Sequence, residues 1–196
     1  MGKIFCLMGK SSSGKDTIYR QLLQQKNFPL SPIVPCTTRP RREGEIPGTD
    51  YHFFTTRELQ ALQDEGRILE LRSYQTVCGI WHYFTADFSI DLNQCDYLMI
   101  GTLEAYRNLQ KHFGSDHIIP LYLQVDDGVR LQRALDRERK QAEPKYAELC
   151  RRFLADEKDF SAEQLQQNHI TRIFSNEILL DTANEIDAYI RSQLSI

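Results

Sequence analysis

Gly9-Lys10-Ser11-Ser12-Ser13-Gly14-Lys15-Asp16-Thr17 is the stretch from which the fold follows. The apolar run Ile4-Phe5-Cys6-Leu7-Met8 leads into it, and Ile18-Tyr19-Arg20-Gln21-Leu22-Leu23 leads out with apolar residues at helical spacing. Strand, glycine-bounded loop, lysine and helix together are the context of a phosphate-binding loop. Gly9 and Gly14 allow the backbone to curl so that successive N–H groups converge on phosphate oxygens. The helix N-terminus adds partial positive charge, and Lys15 is placed to reach the outer phosphates. Asp16 departs from the pattern, because a Ser or Thr normally follows the lysine and holds Mg²⁺. A carboxylate is also a hard oxygen ligand, so Asp16 is the expected metal contact, with Thr17 beside it.

Working outward, Ile33-Val34 and Cys36-Thr37 read as a short strand, bent or at an edge because of Pro35. Residues 39–52 are too rich in Gly, Pro and charge for a regular element. Thr55 with Glu58 forms a capping box for a helix through Leu59 and Leu62, which Gly66 stops. Ile68–Leu71 and Ile80–Thr85 read as strands of a small antiparallel unit with Cys78-Gly79 near the turn. Strand and helix then alternate. Tyr97–Ile100, Ile118–Val125 and Ile170–Phe174 are strands, and Leu103–His112 and Ala183–Leu194 are helices. Asp126-Asp127-Gly128 opens a charged helix, and past Pro144 a second one runs to about Gln167. Apolar strands alternating with amphipathic helices imply an α/β fold, three layers α/β/α around a parallel sheet. A single domain is expected, with its core in about 1–38, 91–128 and 168–196. A small mixed insert at about 39–90 would hold an acceptor, and a helical lid at about 129–167 would close from the other side.

The length of 196 residues suits one such domain, and 41% hydrophobic with 26% charged residues is ordinary for a water-soluble chain. No run of apolar residues is long enough to span a membrane and no leader precedes the first strand, so a cytoplasmic protein is expected. A net charge of −3 gives no basic excess for nucleic acid. The arginines are instead clustered, at Arg39, Arg41 and Arg42 and again from Arg130 to Arg152, which suits a small polyanion. Five scattered cysteines without C-x-x-C spacing read as free thiols.

Over nearly its whole length the sequence resembles the guanylate kinase family. The match is carried by Thr37-Thr38-Arg39-x-x-Arg42-x-Gly44-Glu45-x-x-Gly48-x-Asp50-Tyr51-x-Phe53, which keeps the family's spacing without a gap. The resemblance implies Mg²⁺-dependent transfer of the ATP γ-phosphate to GMP. It implies that Arg39, Arg42 and Tyr51 grip the GMP phosphate and that Tyr83, in Tyr83-Phe84-Thr85, completes the grip. Arg133 and Arg137, four apart on one helix face, with Arg152 beyond, look like the family's catalytic lid arginines, together with Lys15. Gly9, Lys10, Ser11, Ser12, Ser13, Gly14, Lys15, Asp16 and Thr17 would bind ATP, with Asn176 near its adenine. Glu70 and Thr85 match two of the family's readers of the guanine base. The other two are replaced, by Pro35 and by Thr102.

The chemistry agrees, since phosphoryl transfer asks chiefly for alignment and positive charge around the transferred group. For the lid arginines the plain alternative is a solvated helix face balanced by Asp136 and Glu138. For Tyr51 and Tyr83 it is aromatic packing. Glu45 and Asp50 read as acids that orient the arginine loop. Two rival functions stand beside the first. Ribose 1,5-bisphosphate phosphokinases share the Gly-Lys-Asp that Asp16 reproduces, though they lack the arginine loop. A non-catalytic binding module on the same scaffold is the other, against which the intact Lys15 counts.

Overall fold

The computed structural model describes residues 1–24, 29–41, 44–76, 79–87 and 90–194. Its strands are β1 (Ile4–Gly9), β2 (Leu30–Pro32), β3 (Cys36–Thr37), β4 (His52–Phe53), β5 (Ile68–Thr76), β6 (Gly79–Ala86), β7 (Asp96–Ile100), β8 (Ile118–Gln124) and β9 (Ile173–Ser175). The helices are α1 (Lys15–Leu23), α2 (Thr56–Asp64), α3 (Leu103–Phe113), α4 (Asp127–Arg139), α5 (Tyr146–Asp159), α6 (Ala162–Gln167) and α7 (Leu179–Leu194).

Five strands make a parallel sheet in the order β2-β7-β1-β8-β9. β1 is central and wholly buried, which is why it reads as an unbroken apolar run. Its side chains alternate between two cores. Ile4, Cys6 and Met8 pack with Leu103, Tyr106 and Leu109 of α3. Phe5 and Leu7 pack with Ile18 and Leu22 of α1 and Ile186 and Ile190 of α7. The expected three layers are therefore present, and β1 delivers Gly9 to the crevice at the carboxyl edge of the sheet.

A second, mixed sheet runs β4-β3-β6-β5. One face is apolar and covered by α2, with Leu59 on Cys36, Phe84 and Ala86. The capping box that starts α2 is formed in full by Thr55 and Glu58. A register shift between Ile68 and Glu70 sends Leu69 into the main core and leaves Glu70 opposite Thr85. The polar face carries Thr37, Glu70, Arg72, Tyr83 and Thr85.

Several boundaries differ from the sequence reading. Of the strand expected across Ile33–Thr37 only Cys36-Thr37 is formed, as β3, while β2 lies before that range and belongs to the other sheet. β2 stops at Pro32 and β3 starts after Pro35, because neither proline has an N–H for a ladder. At the end of the segment read as irregular, His52 already belongs to β4, which pairs with β3. The second charged helix breaks at Phe160, which enters the core 5.6 Å from Tyr122, and Ser161 caps a new helix by accepting from Gln164 N. The last strand is confined to Ile173–Ser175, and α7 begins at Leu179 rather than Ala183. Cys6, Cys36, Cys95 and Cys150 are free thiols, and Cys78 lies outside the described residues. No helix among the described residues is long and apolar enough to cross a membrane.

Helices α4 and α5 pack together, and a buried arginine ties both to the loop after β1. Arg130 is only 1% exposed. Its Nε and Nη2 donate to Asp127 Oδ1 (3.0 and 2.6 Å), Nη2 also to Glu157 Oε1 (2.8 Å), and Nη1 to the carbonyl of Ser11 (3.1 Å). Asp156 Oδ2 lies 3.7 Å from Nη1, and the Phe153 ring is 4.7 Å away. Lys10 joins the cluster through Glu157 (2.6 Å) and Asp127 (3.3 Å). Removing one member of such a buried set strands charges of the other sign. Arg130→Ala should therefore lower the unfolding free energy by about 3 kcal/mol, the low end for a broken buried pair because Asp127 and Glu157 are partly solvated. Urea titration checks this. A loss below about 1 kcal/mol would show that the cluster is not a structural tie.

Candidate active site

The loop between β1 and α1 has the conformation its glycines predict. Gly9 has φ 149° and Gly14 φ 90°, where a side chain is disfavoured. A Cβ on Gly9 would stand 2.5 Å from the Leu123 carbonyl oxygen, and one on Gly14 2.5 Å from Asn176 Nδ2. Ser12 adopts the left-handed region as well, with φ 63°. Lys15 turns back across the loop. Its Nζ donates to the carbonyls of Gly9 (2.6 Å) and Lys10 (2.9 Å), with Ser13 Oγ at 3.5 Å. Burial lowers its pKa to about 8, against the stabilising charges of Asp16 and Asp156. Asn176 braces the loop from just past β9, donating from Nδ2 to the Ser13 carbonyl (2.7 Å) while its Oδ1 is buried without a partner among the described residues.

A first cavity of about 390 Å³ opens over the loop. Ser12, Ser13, Gly14, Lys15, Asp16, Thr17 and Asn176 line it, and so do Arg133 and Arg137 from α4 and Arg20 from α1. Arg137 Nη2 stands 3.5 Å from Ser12 Oγ. Most of the expected ATP contacts are thus brought together. Three are not. Lys10 faces the acids of α4 and α5 and lines a different cavity. Gly9 and Ser11 line the second cavity described below. The Ser11 N–H donates to Asp156 Oδ2 of α5 (2.7 Å), so a carboxylate of the chain takes an amide expected to face phosphate. Arg152 is exposed on α5 and lines neither cavity.

The second cavity, about 660 Å³, lies between the main sheet and the polar face of the small one. Lys15, Asp16 and Arg20 line it as they do the first. Tyr51 and Tyr83 form its far wall with ring centroids 5.9 Å apart. Pro35 and Thr102, which stand where base readers were expected, are in its wall, but the Thr102 hydroxyl caps α3 by accepting from Ala105 N (3.3 Å).

The remaining acceptor residues are placed differently from expectation. Arg39 is buried and does not line the cavity. Both its terminal nitrogens pair with Glu45, Nη1 also donates to the Pro40 carbonyl (2.9 Å), and its guanidinium lies 4.9 Å over the Tyr51 ring. Its hydrogen bonds to Glu45 raise its pKa above the usual arginine value. Asp50 orients the same loop by accepting from Ile46 N (2.7 Å). Arg42 lies outside the described residues. Glu70 and Thr85 do meet, at 3.1 Å, but both are buried beneath Arg72. Arg72 is the residue that sequence reasoning missed. Its signal was its place two after Glu70 on one strand, which puts both side chains on one face.

The two cavities meet at Lys15 and Asp16, so two phosphorylated ligands can approach one ammonium and one carboxylate from opposite sides. Because Lys15 carries its charge only below a pKa of about 8, triphosphate binding to the free protein should weaken as pH rises through that value. ATP affinity by calorimetry should be about tenfold lower at pH 9 than at pH 7, the fall expected one unit past a required group's pKa. A flat profile would show that Lys15 does not contact the ligand.

These features have counterparts in known proteins. A family model described as guanylate kinase matches residues 1–81. The guanylate kinase of Chlamydia pneumoniae is 40% identical over 68 residues, 35% of this chain and 33% of that protein. That of Chelativorans sp. (strain BNC1) is 46% identical over 70 residues, 35% of this chain and 31% of the other. The chain therefore matches about a third of the length of these curated relatives. The crystal structure of guanylate kinase from Anaplasma phagocytophilum superposes with a TM-score of 0.64 at 21% identity, covering 98% of this chain and 86% of that one. The N-terminal 81 residues are thus similar in sequence to guanylate kinases, and nearly the whole chain has the fold of one.

Proposed function

We propose that the protein is a P-loop kinase of the guanylate kinase kind, transferring the γ-phosphoryl group of Mg²⁺-ATP to GMP to give ADP and GDP. The observation that carries this reading is the pair Lys15 and Asp16 at the wall common to both cavities. Loop amides and the α1 N-terminus would hold the donor phosphates, with Arg133 and Arg137 supplying charge from α4. Tyr51 and Tyr83 would flank the acceptor. Lys15 would lie between the ligands, where charge passes from one to the other.

Mg²⁺ would enter with ATP and neutralise charge on its phosphates. Asp16 fits such an ion as an exposed hard-oxygen donor at the junction of the cavities. A second acceptor, ribose 1,5-bisphosphate, is favoured by two features. One is Asp16 directly after Lys15. The other is the engagement of Glu70 by Arg72, which occupies the carboxylate a guanine would need.

The test is ADP release from ATP with GMP, AMP and ribose 1,5-bisphosphate in turn. GMP should be the best acceptor, and no ADP with any of them would overturn the kinase reading. Ribose 1,5-bisphosphate in first place would replace the substrate and leave the reaction class standing. Lys15→Ala should reduce kcat by on the order of 10²-fold or more, as loss of a preorganised charge does, in a protein that melts at nearly the same temperature. Asp16→Ser should shift the Mg²⁺ concentration giving half-maximal rate. An unmoved Mg²⁺ titration and ATP KM would leave Asp16 as a helix N-terminal acid only.

A further inference from the structure

On the polar face of the small sheet, Glu70 and Arg72 stand opposite Thr85 and Tyr83. The Glu70 carboxylate is engaged within that face at both of its oxygens. Oε1 accepts from Thr85 Oγ1 (3.1 Å) and Arg72 Nη2 (3.4 Å), and Oε2 accepts from Arg72 Nε (3.0 Å). The Glu70 side chain is 2% exposed and that of Arg72 is 26%. Arg72, not Glu70, lines the cavity with Lys15, Tyr51 and Tyr83. Its Nη1 has no acceptor among the described residues. Arg39, to which the family resemblance gives the phosphate grip, has its terminal nitrogens on Glu45 and Pro40.

We infer that Arg72 is the cation that takes hold of the acceptor's phosphate in this cavity, and that Glu70 is its positioning residue rather than a reader of the acceptor's base. This rests on the kinase reading above. The guanidinium is forked onto Glu70 along one edge, which fixes its plane and leaves its other N–H groups to point elsewhere. Tyr83 is the cross-strand partner of Arg72, and Tyr51 lines the same cavity with both. An anionic oxygen is the acceptor that gains most from such donors. A guanine edge seeking Glu70 would instead have to break its bonds to Arg72 and pass beneath that side chain. The Thr102 hydroxyl accepts from Ala105 N within the chain and offers a base only its remaining O–H. The acceptor is then selected by its phosphate more than by its base.

Equilibrium binding of GMP and of AMP, measured by calorimetry, separates the two roles of Glu70. Arg72→Gln and Glu70→Gln should each weaken both nucleotides by about tenfold, the loss expected for one charge-assisted contact, and leave their ratio unchanged. The double variant should be no weaker than Arg72→Gln alone, since Glu70 acts only through Arg72. Arg72→Lys keeps the charge without the fork and should fall between wild type and Arg72→Gln. In turnover, the acceptor KM should rise while kcat at saturation changes little. The inference is overturned if Glu70→Gln shifts the GMP-to-AMP ratio by more than about fivefold, the mark of a lost base contact. It is equally overturned if Arg72→Gln leaves both affinities intact, or if the wild type binds neither nucleotide. ADP release run alongside keeps the questions apart, because a protein that binds both nucleotides yet releases no ADP fails as a kinase while the affinities still decide on Arg72.

Discussion

The bend of the backbone between β1 and α1 is the constraint on which the rest depends. Lys15 Nζ reaches Gly9 and Lys10 only because Gly9, Ser12 and Gly14 bend the backbone through conformations with positive φ. That bend needs a fixed strand before it and a fixed helix after it. β1 is held in the middle of a parallel sheet, and α1 is pinned by Ile18 and Leu22 in the core. From just past β9, Asn176 donates to the Ser13 carbonyl and closes the loop on its far side. A lysine so enclosed loses hydration, and its pKa falls toward 8.

The charges around the loop compensate one another in layers. Arg130 and Lys10 share Asp127 and Glu157, and Asp156 takes the Ser11 amide. This network joins α4 and α5 to the loop and so places Arg133 and Arg137 over the first cavity. It also has a chemical consequence. The Ser11 N–H cannot serve Asp156 and a phosphate oxygen at once, so an anion entering from that side meets a carboxylate already in place. The bond from Ser11 to α5 and a bond from Ser11 to a phosphate oxygen therefore exclude each other.

On the acceptor side, two arginine–carboxylate pairs divide the work differently from the sequence expectation. Arg39 is withdrawn behind Tyr51 by Glu45, and Arg72 is brought forward by Glu70. Each carboxylate fixes the plane of a guanidinium, and the difference lies in which cation meets the cavity. The tyrosines remain where the spacing from the arginine loop put them. Pro35 and Thr102, the two departures from the family's base readers, do line the same space.

The sequence by itself determined everything that is local. The apolar run, the glycine spacing and the lysine fixed strand, loop and helix from residue 4 to residue 23, because each depends on backbone conformation and on neighbours a few positions away. The capping box at Thr55 and Glu58 was legible for the same reason, as was the alternation that makes three layers. Only the tertiary structure decided which charge pairs with which. Arg72 and Glu70 could be read as sharing a face, but not as bonded to each other. The binding of Ser11 by Asp156, 145 positions away, has no local trace at all. The same holds for the placing of β2 and β3 in different sheets, since sheet membership is set by distant partners. Long side chains such as arginine choose among carboxylates by distance and desolvation, and both exist only once the elements are packed.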